Sequence, residues 1–64
     1  MNKAQRIEDL IHSLAVLAER FQFTFSQYTG GTPEVMREVF QKQSEAELSR
    51  NETRISSTLE KSSK

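Results

Sequence analysis

A chain of 64 residues with no cysteine has room for one domain and no disulfide to brace it, and its single histidine cannot build a metal centre alone. Nine basic residues balance nine acidic ones, three of each sign through Gly31 and six of each after it, so no basic excess draws the chain to nucleic acid or an anionic membrane. A core this small is marginal, and of the usual supports only a second copy or a partner protein remains.

The first expected element is a long helix. Asn2 and Gln5 stand in the order of a capping box, in which the Asn2 side chain accepts from a free first-turn amide. An apolar stripe follows at Ile7, Ile11, Leu14, Ala18, Phe21, Phe25 and Tyr28, in alternating steps of 4 and 3, with Leu10 and Leu17 widening it. Within FQFTFSQYTGG, Phe21, Phe23 and Phe25 also alternate like a strand, but that period leaves Tyr28 out of phase. A lone strand would also need a partner strand. The spacing therefore predicts one helix over about 3–28, with its last turns prone to fray because aromatic residues and Thr are poor helix formers. Phe23 falls outside the stripe, one heptad after Val16, and these two residues are the candidate partner surface.

TGGTPE predicts a turn over 29–32. Gly30 or Gly31 can end the first helix in the left-handed conformation, Thr32 can cap the next, Pro33 suits its first position and Glu34 its positive end. A phosphate cradle is a poorer reading, since Pro33 removes an amide, Glu34 repels anions and no P-loop lysine follows.

The second helix is expected from about 33 to 48, with a thinner signal onward to about 60 and a disordered tail over 61–64. Val35, Met36, Val39 and Phe40 form its apolar patch. Beyond it, Gln43 interrupts the stripe, while Leu48, Ile55 and Leu59 keep a loose heptad spacing among Ser, Thr, Glu, Lys and Arg. The expected fold is all-α, a single helical-hairpin domain over 1–60. Antiparallel packing would set Met36, Val39 and Phe40 against Phe21, Phe25 and Tyr28. Ile7, Ile11 and Leu14 would then face the polar half of helix two and need another cover, which a second copy could supply. Hence the expectation of a homodimeric bundle with its core and interface at Ile7, Ile11, Leu14, Leu17, Phe21, Phe25, Tyr28, Met36, Val39 and Phe40.

Catalytic chemistry finds little to use. His12 lies within helical reach of Glu8 and Asp9, which suits a surface His–acid pair. No nucleophile motif, metal-binding motif or cofactor motif accompanies it. The expectation is a non-enzyme without metal or cofactor. NET at 51–53 matches a glycosylation acceptor by chance, because MNKAQRIEDLIHS has acids where a signal peptide is apolar. The longest apolar run, LAVLA, is far short of the ~20 residues that span a bilayer. A soluble cytoplasmic protein is expected.

The capped NKAQRIEDLIHSLAVLAERF helix, the TGGTPE turn and the polar second helix resemble, in size and layout, the small accessory proteins of temperate-phage early regions, which act by binding host regulatory or replication proteins. The layout is also similar to the small helical-hairpin chaperones of bacterial secretion systems. Both resemblances imply a regulatory or adaptor protein that works by protein–protein binding. The alternative is a dimeric DNA-binding regulator that uses helix two, with Arg37, Lys42, Arg50 and Arg54 as contacts and Lys61 extending their stripe.

Overall fold

The computed structural model of the chain describes residues 2–63. It is all-α, with three helices of ten residues or more and one of five: α1 Lys3–Arg20, α2 Phe25–Thr29, α3 Pro33–Lys42 and α4 Glu45–Ser62.

Helix α1 starts where expected, with Asn2 Oδ1 accepting from the Gln5 amide at 2.9 Å. It stops two turns early. The helix expected over 3–28 ends at Arg20, because the Gln22 amide turns back to the Glu19 carbonyl at 3.0 Å and the Phe23 amide to the Ala18 carbonyl at 2.8 Å. This pair of bonds is the Schellman closure, which usually places glycine in the left-handed position. Here that position is Gln22, with φ 63°. Thr24 then starts α2 with a reciprocal capping box. The Gln27 amide donates to Thr24 Oγ1 at 3.1 Å and the Thr24 amide to Gln27 Oε1 at 3.0 Å.

Gly30 closes α2 at φ 84°, and Thr32, Pro33 and Glu34 open α3 as the sequence indicates, with Thr32 Oγ1 accepting from the Val35 amide at 3.2 Å. The second helix does not run on past 42 as expected. Gln43 turns extended (ψ 148°), and Ser44 caps a new helix by accepting from the Glu47 amide at 3.3 Å. The Lys3 ammonium seals this corner, donating to the carbonyls of Gln41 and Gln43 at 2.9 and 2.8 Å. It thus neutralises the negative end of α3. Of the tail expected to be disordered over 61–64, Lys61 and Ser62 belong to α4, Ser63 caps it and Lys64 lies outside the described residues.

The break at 43–44 redirects the last third of the chain. α3 runs antiparallel to α1, pairing Arg37 with Glu8 and its C-terminal end with Lys3. α4 reverses again and lies parallel to α1. Arg6 reaches Glu45, Ser49 and Glu52 near the start of α4, while Arg20 reaches the Leu59 carbonyl and Ser62 near its end. α1 is the central element, touching α2, α3 and α4. Its stripe of Ile7, Leu10, Ile11, Leu14 and Leu17 is buried with Phe40 from α3 and Leu48 and Ile55 from α4, and Phe25, Tyr28, Met36 and Leu59 pack at the margins. The Ile7–Ile11–Leu14 stripe, expected to lack cover within one chain, is therefore covered by α3 and α4 together. The Cα radius of gyration is 11.4 Å, close to the ~10.7 Å typical of a compact chain of this length.

Candidate interaction surfaces

With the core closed inside one chain, the informative residues are those left outside. Among the described residues no polar or charged side chain is buried. Four large apolar side chains are exposed: Phe21 at 45%, Phe23 at 51%, Val35 at 49% and Val39 at 42%. Phe21 and Val39, expected in the core or a dimer interface, thus lie outside the core of the single chain.

The two phenylalanines belong to one aromatic cluster at the α1–α2 corner. The Phe21 ring stacks on Tyr28 with centroids 5.9 Å apart, and the Phe23 ring sits tilted against the same Tyr28 at 6.4 Å. Local sequence explains the geometry. Gln22 in the left-handed conformation swings the chain out of α1, so Phe21 and Phe23 fall on either side of the turn. The Thr24–Gln27 capping box then winds α2 back so that Tyr28 meets both rings. A non-glycine residue at positive φ costs roughly 1–2 kcal/mol. The expected kinship of Phe23 with Val16 does not survive the turn: α1 ends before Phe23, and Val16 is a half-buried residue of α1. Val35 and Val39, one helical turn apart, form a second apolar strip on the outer side of α3, opposite in role to Met36 and Phe40, which pack inward.

The cations separate into two groups. Arg6 and Arg37 are structural. Arg6 grips Glu52 through Nε at 3.1 Å and Nη2 at 2.6 Å while also bonding Glu45. That contact raises the Arg6 guanidinium and holds the Glu52 carboxyl below its ordinary value. Arg37 donates two bonds to Glu8 at 2.7 and 3.2 Å, and this hydrogen bonding to the Glu8 carboxylate raises the Arg37 pKa. Glu8 is therefore spent on Arg37, and Asp9 Oδ1 accepts from Gln5 Nε2 at 3.1 Å, so the acids expected beside His12 are engaged elsewhere.

Arg50, Arg54 and Lys61 form the second group. They line one open groove along α4 together with Ser49, Thr53, Ser57 and Thr58. The four contacts expected for DNA are thus divided: Arg50 and Arg54 come together, Arg37 is paired away, and Lys42 stands at the end of α3 outside that groove. Lys61, part of the expected stripe, joins them. Among the described residues no group of three or more His, Asp or Glu side chains is placed to hold a metal ion, and no helix is long and apolar enough to cross a membrane.

Fold and surface together define a small all-α protein organised around α1, with an aromatic corner, an apolar strip on α3 and a cationic groove on α4. Comparison with known protein families, with curated proteins and with solved structures gave no match.

Proposed function

We propose that this is a small non-enzymatic regulatory or adaptor protein that acts by binding another protein through the aromatic corner of Phe21, Phe23 and Tyr28. The observation that carries the reading is the pair of half-exposed phenylalanine rings held on Tyr28 by a turn with Gln22 at φ 63°. Strained backbone persists where the surrounding structure holds it, and such positions concentrate at functional surfaces. Rings already fixed against Tyr28 lose little side-chain entropy on binding, which is the property of an aromatic hot spot. Fully burying a phenylalanine is worth ~1.5–3 kcal/mol. With half of each ring exposed, the two together offer a partner roughly 2 kcal/mol, or about 30-fold in affinity.

A homodimer remains one form such binding can take. Since α3 and α4 cover Ile7, Ile11 and Leu14, a second copy would have to use the exposed residues Phe21, Phe23, Val35 and Val39. The test compares wild type with the Phe21→Ser/Phe23→Ser double variant in affinity capture from the native host, each first checked for folding by circular dichroism. A protein captured by wild type and lost from a folded double variant supports the reading. Equal capture by both overturns it.

A further inference from the structure

We infer that the outer face of α4 is a second binding surface, a sequence-independent contact for the phosphate backbone of duplex DNA made by Arg50, Arg54 and Lys61. These three residues line one open groove with the hydroxyl-bearing Ser49, Thr53 and Ser57. All six are exposed. Among the described residues the ion pairs are those of Arg6 with Glu45 and Glu52 and of Arg37 with Glu8, so none of the three groove cations is held by a carboxylate. Arg54 is oriented by a neutral partner, donating to Asn51 Oδ1 at 2.8 Å, which leaves its charge uncancelled.

The chain as a whole is neutral, and the fold explains how a cationic face arises on it. Glu45 and Glu52 of α4 point to the α1 side, where Arg6 takes both. Glu60 lies outside this groove but shares an adjoining one with Ser57 and Lys61. Glu47 shares a neighbouring groove with Arg50 and Arg54 at the N-terminal end of α4, so a carboxylate flanks each end of the cationic groove while none lines the groove itself.

The chemistry favours phosphate over other anions. Arg, Lys, Ser and Thr side chains are the residue types that contact phosphate oxygens, and interleaving donors with cations suits a repeating anion. At 1.5 Å rise per residue, Arg50 to Lys61 spans ~16 Å of helix, long enough to meet several backbone charges. The groove lacks Asn and Gln, the usual readers of adenine, and its hydroxyls interleaved with cations match the pattern of backbone contacts, so the contact is assigned to phosphate rather than sequence. B-form DNA admits an α-helix in its major groove, whereas the A-form groove of duplex RNA is too narrow.

The test is fluorescence anisotropy of a labelled random-sequence DNA duplex titrated with the full chain. Three released counterions predict a slope of about −2.7 in log affinity against log salt, a loss of about 40-fold between 50 and 200 mM. Arg50→Gln/Arg54→Gln should reduce the slope to about −0.9 while keeping the helical spectrum, and Arg37→Gln should leave the slope near wild type. Absence of salt-sensitive binding in the lower salt range overturns the inference, as does a double variant that binds like wild type. Equal competition by duplex RNA or by polyglutamate overturns it too, because the face would then be a general polyanion site.

Discussion

Leu48→Ala tests the placement of α4. Had the second helix run straight on from Lys42, Leu48 would lie on a largely polar extension. Instead it is fully buried (0% exposed) in the cluster formed with the α1 stripe. Truncation removes three buried carbons, worth ~0.8 kcal/mol each in transfer alone, and the cavity left behind brings the cost to ~2–5 kcal/mol. A chain of this length commands only ~3–9 kcal/mol in total. With a urea slope of about 1 kcal/mol per molar, the unfolding midpoint should fall by at least ~2 M, and the substitution should approach complete unfolding. The assay is urea denaturation followed by circular dichroism, with Val39→Ala as the comparison, since Val39 is 42% exposed and should cost less than about 1 kcal/mol. A Leu48→Ala midpoint within experimental scatter of wild type would refute the docking of α4 on α1. Equal costs at Leu48 and Val39 would do the same.

Three further outcomes follow from particular contacts. Gln22→Gly removes the left-handed penalty at φ 63° and should stabilise the chain by about 1 kcal/mol in the same denaturation assay, whereas Gln22→Val should destabilise it. Ser44→Ala removes the cap of α4 and should cost about 1 kcal/mol, read as a lower thermal midpoint. The third concerns pH. The hydrogen bond from Arg6 holds the Glu52 carboxyl below its ordinary 4.5, so the unfolded chain takes up this proton at higher pH than the folded one. The resulting stabilisation is fully present above 4.5 and is lost as pH falls through the lower folded value. Thermal melts of wild type and Arg6→Gln should therefore differ at neutral pH and converge in acid; a gap that stays constant would contradict the Arg6–Glu52 account.

What was legible in the chain was whatever rests on local chemistry. Asn2, Gly30, Thr32 and Pro33 take the capping and turn roles their types suggest. The stripe from Ile7 to Leu17 is the core face. The breaks were harder to see. Phe21, Phe25 and Tyr28 continue the heptad numerically, and the left-handed residue that ends α1 is a glutamine, so neither periodicity nor a glycine marks the stop. Thr24-x-x-Gln27 and Ser44-x-x-Glu47 were the local signals available, each a helix start written inside a segment whose apolar spacing suggested continuation. The parallel return of α4 depends on contacts such as Arg6 with Glu45 and Glu52, residues 39 and 46 positions away, and no short-range pattern encodes them. The surfaces divide in the same way. The spacing of Arg50, Arg54 and Lys61 placed them together in advance, but the engagement of Arg37 by Glu8 and the exposure of Phe21 follow from tertiary packing alone.

The central claim is that one chain closes its own core, with α3 and α4 over the α1 stripe, so that the apolar groups left outside are free for a partner. Its most direct test is the thermal midpoint of the wild-type chain measured across a wide dilution series. A midpoint independent of protein concentration is the predicted result. A midpoint that rises steadily with concentration would mean that folding requires a second copy, and the stripe of Ile7, Ile11 and Leu14 would then owe its cover to that copy rather than to α3 and α4.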